Sequence, residues 1–187
     1  MTNKKDRIVA VIPVKLNSDR VVSKNFRSFF NDNSLFDLLI ENLLSANVFK
    51  KIYVSSDAME LKNKVEQRGC IFLARDKKYC SNEIPWSEVI YEVVKSIPEH
   101  ESVPIAWCHT TSPLFNKYKS AVKKYFSELK NNSSDGLVTV TPISEFLVSE
   151  KKQPINYSWG PWHKYSQHQD KVYSITGALF IARKMEM

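Results

Sequence analysis

The chain has 187 residues, 43% hydrophobic and 25% charged, enough to bury one substantial core and unlike a disordered polymer. Its net charge is +7, from 27 Lys+Arg against 20 Asp+Glu, which suits an anionic partner without choosing nucleic acid, nucleotide or acidic metabolite. No apolar run reaches the roughly 18 residues of a membrane span.

The first strand is read at Ile8 to Val14, a nearly continuous apolar run of the kind buried on both faces of a sheet. The same run is too short, and too interrupted by Pro13, for a signal peptide, so a cytoplasmic protein is expected. After a polar loop, Ser34 is placed to cap a helix in which Leu35, Leu38, Leu39 and Leu43 share one face. Lys51 to Ser56 reads as the second strand. Asp57 is expected to cap a helix from about Ala58 to Arg68, with Gly69 at its left-handed end. Ile71 to Leu73 is a short third strand. A helix then starts at Pro85 to Glu88, where Trp86 is read as packing rather than as a stacking platform. A strand over Val103 to Cys108, a basic amphipathic helix over Tyr118 to Lys130 and a strand over Gly136 to Thr141 follow. Phe146 to Tyr157 has the look of a hairpin, a polar aromatic stretch runs from Trp159 to His168, and Tyr173 to Ala182 is the last strand. This alternation predicts an α/β fold with a doubly wound, mostly parallel sheet. One domain over 1–187 is expected, with 144–172 as a hairpin extension near the C-terminus. Chemistry in such sheets gathers beyond the carboxyl ends of the strands.

Three cysteines (Cys70, Cys80, Cys108) without a CxxC spacing exclude a disulfide framework, and the four histidines are too scattered for a metal site. The loop after the first strand carries Lys15, Asn17, Ser18, Arg20, Lys24 and Asn25, so ammonium and backbone N–H groups can share a polyphosphate's charge. A solvated basic loop is the other reading of these residues. With no glycine, the loop is not of the Walker type. Two further signals are Cys108-His109-Thr110-Thr111-Ser112-Pro113-Leu114 at a strand end and Thr176-Gly177-Ala178 near the C-terminus.

Taken in order with Ile12-Pro13 and Ser18 to Asn25, these segments resemble the acylneuraminate cytidylyltransferase family, from about Ile8 to Lys184. The resemblance implies a Rossmann-like domain that activates a sialic-acid-like sugar acid with CTP, giving a CMP-sugar and pyrophosphate. It also implies a homodimer formed through the extension. Lys15 and Lys24 match the residues that hold the CTP phosphates and are the catalytic candidates. Asn17, Ser18, Asn25, Arg75, Ser81 and Asn82 match nucleotide-binding positions. His109, Thr111, Ser112, Gln167, Thr176 and Gly177 are the candidates for the acid substrate. Catalysis there is positioning and charge neutralisation.

The departures from the family pattern are specific. Lys15 replaces an arginine and forgoes its bidentate fork. His109 replaces a glutamine, and Ser174-Ile175-Thr176 stands where Arg-Pro-Asn is common. The chain reaches Met187 before the family's Asp-x-Asp pair. No protein metal ligand is therefore expected, and Mg2+ is expected chiefly on nucleotide phosphates. The alternatives are a nucleotidyltransferase for another sugar or acid, or a nucleotide-binding homologue with little turnover. Neither a membrane nor a nucleic-acid partner is expected, since no strand face interleaves aromatics with arginines.

Overall fold

Alternate side chains of the first strand, β1 (Ile8–Pro13), enter two different cores, and this decides the architecture. In the computed structural model, which describes residues 8–16, 18, 21–131, 134–161 and 165–187, all of β1 but Pro13 is buried. Ile8, Ala10 and Ile12 join one cluster, while Val9 and Val11 join the other.

Beyond β1 a small antiparallel ribbon, β2 (Ser28–Phe30) and β3 (Asn33–Ser34), occupies part of what the sequence reads only as loop. Its turn uses left-handed Asn31 and Asp32, residue types that tolerate this conformation. The chain continues through α1 (Leu35–Ala46), β4 (Phe49–Ser56), α2 (Leu61–Glu66), β5 (Ile71–Ala74), α3 (Trp86–Ser96), β6 (Pro104–Cys108), α4 (Tyr118–Lys130), β7 (Gly136–Ile143) and β8 (Val172–Arg183). The six long strands form one sheet in the order β5-β4-β1-β6-β8-β7. β1 pairs in parallel with both β4 and β6, and β4 with β5; β8 runs antiparallel to β6. The expected α/β, mostly parallel, doubly wound sheet is what forms. Helices α1, α2 and α4 cover one face, and α3 covers the other with Val89, Val93 and Val94 against Tyr53 and Trp107. No helix among the described residues is long and apolar enough to cross a membrane.

Ser34 caps α1 as expected. Its hydroxyl accepts from the Asp37 N–H (3.1 Å), and the Asp37 carboxylate accepts from the Ser34 N–H (3.2 Å). Asp37 also meets Arg68 (2.8 Å) and Lys64 (3.1 Å), tying α1 to the segment around α2. Burial alone pushes the Asp37 carboxyl up, but hydrogen bonds from Ser34 and Lys64 outweigh it and hold the group below its ordinary value.

The second helix differs from expectation. It begins at Leu61, with Glu60 in the cap position, because the Ser56 hydroxyl takes the Ala58 N–H (3.2 Å) and turns the chain before a helix can start. Asp57 therefore caps nothing; the Cys80 thiol donates to its carboxylate. Gly69, at φ +72°, does end this segment in the left-handed conformation.

The chain divides into two compact units, Met1–Val138 with Gly177–Met187, and Thr139–Thr176. The second contains the 144–172 stretch. Within it the chain turns back through an antiparallel Val148–Pro154 bridge. Asn156, 1% exposed, pins the turn by accepting from the Leu147 N–H (2.9 Å) and donating to the Glu145 carbonyl (2.9 Å). Phe146, Tyr157 and Trp159 stack edge to face beside it.

Candidate active site

Three loops at the carboxyl ends of parallel strands enclose a cleft of about 650 Å3 within the first unit. The loop after β1 contributes Lys15, Ser18, Lys24 and Asn25. The segment after β5 contributes Arg75 and Tyr79 to Trp86, and the end of β6 contributes His109, Thr110 and Thr111. This is where a doubly wound sheet leaves room for a ligand, between loops that diverge from neighbouring strands.

The first loop is held by its own backbone. Val14 N–H donates to Ser55 C=O (2.9 Å), continuing the β1–β4 ladder by one residue. Downstream, the N–H groups of Phe26 and Arg27 both donate to the Ser23 carbonyl (2.9 Å each), and Lys24 N–H donates to Val21 C=O (3.2 Å). Ser23 sits at φ +47°, so the turn is tight and presents half-buried Lys24 at the cleft wall. Asn25 is buried and braces the loop. Its amide donates to the Lys15 carbonyl (3.0 Å), and its oxygen accepts from the Thr110 hydroxyl (2.8 Å), joining the loops after β1 and β6.

The cations differ in their engagement. Lys15 Nζ donates to the Cys80 carbonyl (3.3 Å) and to Asn82 Oδ1 (3.2 Å), bridging to the segment after β5. Arg75 donates to the Val14 carbonyl (3.0 Å) and, through Nε, to Cys80 Sγ (3.1 Å). Lys24 has no ion pair or side-chain hydrogen bond with another described residue. Burial pushes the Cys80 thiol up, against the opposing pull of Arg75, so it stays protonated near neutrality.

His109 closes the β6 side. Its Nε2 accepts from the Trp107 indole N–H (2.7 Å), and the ring donates to the backbone of Gly177. Burial pushes its pKa down, with the Gly177 bond acting the other way, so the ring is neutral at physiological pH. Gly177 has φ +70°, a conformation that favours glycine, while a Cβ there would lie 3.4 Å from His109 Nδ1, at ordinary van der Waals distance.

Of the residues singled out from sequence, Lys15, Ser18, Lys24, Asn25, Arg75, Ser81, Asn82, His109 and Thr111 line the cleft together. Ser112 lies instead in the turn after β6, its carbonyl accepting from the Phe115 N–H (3.1 Å). Gln167 and Thr176 belong to the second unit, where Thr176 Oγ1 donates to Thr139 Oγ1 (2.8 Å). Asn17 lies outside the described residues. Thr110 was not singled out, although its hydroxyl holds Asn25. Trp86, read as a packing residue, is 52% exposed and forms part of the wall. Apolar spacing on α3 could not reveal this, because Trp86 precedes the buried stripe that begins at Val89.

Among the described residues, no three His, Cys, Asp or Glu side chains gather as a metal site. The donor set around the cleft is cationic and amide-rich, with Glu83 its only carboxylate among the described lining residues. These residues do not fit a protein-held divalent ion.

A cytidylyltransferase family model matches residues 9–174. A Helicobacter pylori protein named pseudaminic acid cytidylyltransferase and UDP-2,4-diacetamido-2,4,6-trideoxy-beta-L-altropyranose hydrolase is 27% identical over 139 residues. That match covers 74% of this chain and 26% of that protein. The pseudaminic acid cytidylyltransferase of Campylobacter jejuni serotype O:2 is 24% identical over 180 residues, covering 92% of this chain and 76% of that one. The chain thus spans about a quarter of the first relative and three quarters of the second. Among solved structures, CMP:2-keto-3-deoxy-manno-octonic acid synthetase complexed with CTP shares the fold, with a TM-score of 0.66 and 12% identity over 95% of this chain and 74% of that chain. The matched span runs from β1 into β8 and takes in all three cleft loops, and on that ground the chain belongs to the cytidylyltransferase family.

Proposed function

We propose that the chain transfers a cytidylyl group from CTP to a sialic-acid-like sugar acid, releasing pyrophosphate. The observation that carries this reading is the convergence of Lys15, Lys24 and Arg75 on one cleft at the carboxyl edge of the parallel sheet, in a chain of this family. Such a cleft suits a triphosphate. In the reaction, a hydroxyl of the acid attacks the α-phosphorus, a new O–P bond forms, and the bond to the β-phosphate oxygen breaks. The chemistry needs alignment and neutralisation of the departing charge more than a covalent nucleophile.

Lys24 and Lys15 are assigned to the phosphates, Lys24 as a cation open to the cleft and Lys15 as one that must exchange its bonds to Cys80 and Asn82. Arg75, Ser81 and Asn82 are assigned to the base and ribose, Ser18 to the phosphate end and Asn25 to bracing. Thr111 is assigned to the acid. Magnesium is proposed to arrive on the nucleotide phosphates, and no step above is routed through it. A homodimer through the second unit is proposed from its exposed Phe146, Ile155, Trp159 and Tyr165, the residue types that anchor interfaces.

The test is pyrophosphate release from CTP with a panel of sugar acids, pseudaminate and N-acylneuraminate among them, with and without magnesium. CTP-dependent release with at least one acid is expected. Equal thermal stabilisation by CTP, ATP and GTP, with no release, overturns the reading.

A further inference from the structure

We infer that Trp86 is a specificity-determining contact for the acceptor, its indole packing against the apolar face of the sugar ring, and that His109 positions Trp86 without touching the acceptor. The inference rests on the proposed cytidylyl transfer and extends it to a residue pair.

Three observations carry it. First, Trp86 is fixed yet half in water. Its ring meets Trp107 edge to face at 5.9 Å and 88°, and His109 at 5.8 Å and 63°, while 52% of the residue stays exposed at the cleft wall. A large aromatic held rigidly on one side and wetted on the other is a ready platform for a ring.

Second, the cleft is polarised. Lys15, Lys24 and Arg75 come from the loops after β1 and β5, whereas the lining residues contributed by β6 are His109, Thr110 and Thr111, beside Trp86. Phosphates belong at the cationic end. The aromatic end, without a lysine or arginine of its own among the described residues, suits the uncharged ring of a sugar acid, which has an apolar C–H face. A nucleobase finds amide, hydroxyl and carboxylate partners for its edge at Ser81, Asn82 and Glu83 instead.

Third, His109 has no nitrogen left for a substrate. Nε2 accepts the Trp107 indole proton at 2.7 Å, and the ring donates to the Gly177 backbone. What the imidazole still offers the cleft is its edge against Trp86. Its function is therefore orientation: Trp107 at the end of β6 and Gly177 within β8 clamp the ring that supports the tryptophan.

Steady-state kinetics of the full chain, with CTP and acid varied separately, test this. Trp86→Ala is expected to raise the acid's KM by about tenfold or more, with the KM for CTP changed less than about twofold. Trp86→Phe keeps an aromatic face and retains most of the affinity. His109→Ala moves the acid's KM in the same direction, and His109→Gln, which can still accept from Trp107, recovers it. Circular dichroism establishes that each variant folds, and Trp86→Leu, which keeps apolar bulk without an aromatic face and is expected to raise the acid's KM likewise, serves if the alanine variant does not. A shift in the KM for CTP instead overturns the inference in favour of base stacking, and no shift in either leaves Trp86 a packing residue. A parent protein that binds CTP but transfers to no acid refutes the proposed function alone. In that case fluorescence titration decides: quenching by an acid that Trp86→Phe abolishes upholds the platform, and its absence overturns it.

Discussion

Replacing Lys24 with alanine removes one cation from the cleft while sparing the contacts that hold the loop. The turn from Val21 to Arg27 closes through backbone bonds to Val21 and Ser23, and the ammonium group has no ion-pair partner among the described residues. No buried carboxylate is orphaned by the change, so the fold should lose well under 1 kcal/mol, about that of an ordinary surface substitution. Binding is another matter. A hydrogen bond from an ammonium to a phosphate oxygen contributes about 1.5–3 kcal/mol, which corresponds to CTP binding weakened about 10- to 150-fold. Titration calorimetry at two salt concentrations measures this. The deficit should shrink as salt rises, because part of the lost energy is screened Coulomb attraction. Lys15→Arg is the companion variant: the guanidinium can keep the bonds to Cys80 and Asn82 and adds a second donor toward phosphate, so affinity should hold or rise. If Lys24→Ala binds CTP as tightly as the parent, Lys24 is a solvated loop residue and the phosphate assignment of this loop is refuted.

Gly177→Ala should cost about 1–2 kcal/mol in thermal unfolding, because an L-residue is strained at φ +70°. Ser34→Ala removes the α1 cap and should cost about 1 kcal/mol by urea denaturation. It should also move the Asp37 carboxyl part of the way back up by NMR titration, since the Ser34 hydroxyl supplies one of the bonds that lower it, while the backbone N–H bond remains. His109 binds its proton less readily folded than unfolded, so its contribution to stability is complete above about pH 6.5 and is lost as pH falls through the folded value. His109→Gln should flatten that part of the stability–pH curve. Magnesium should bind the nucleotide-free protein only weakly, with tight stoichiometric calorimetric binding the contrary result.

Much of the fold was legible because burial writes itself into pattern. The continuous apolar run at Ile8 to Ile12 could only be a strand covered on both faces, and Ser34 ahead of a three-four leucine spacing could only begin a helix. What failed was local competition. Ser56 and Asp57 are both good caps, and nothing in their order says that the serine hydroxyl takes Ala58 and leaves the carboxylate for Cys80. The site was legible as a set of loops, since loops following parallel strands must meet at one edge. Its internal wiring was not. Asn25 was expected at the nucleotide and does line the cleft, but nothing in the sequence shows that it also bonds the Lys15 carbonyl and the Thr110 hydroxyl, the latter 85 positions away in the chain. His109 was expected at the acid and lines the cleft, but the bond that its Nε2 accepts from the Trp107 indole, two residues earlier on β6, left no mark in the sequence. Side-chain hydrogen bonds across loops leave no period for a sequence to show.

The uneven engagement of the three cations has a consequence for binding order. Arg75 and Lys15 already donate to the carbonyls of Val14 and Cys80, so each helps hold the loops after β1 and β5 together in the absence of ligand. A nucleotide that recruits Lys15 with its phosphates and Arg75 with its base and ribose exchanges one hydrogen bond for another, and the net gain per exchange is small beside that of a newly made charged bond. Lys24, on a turn closed by its own backbone, brings its charge to the phosphates without first giving up a partner among the described residues. Affinity for the nucleotide should therefore depend more on Lys24 than on Lys15. Substituting Lys15 or Arg75 should instead loosen the segment from Tyr79 to Asn82. Proteolytic susceptibility of that segment, compared with CTP affinity across the three alanine variants, separates the two roles. If Lys15→Ala weakens CTP more than Lys24→Ala and leaves the segment protected, the two lysines have been assigned the wrong way round.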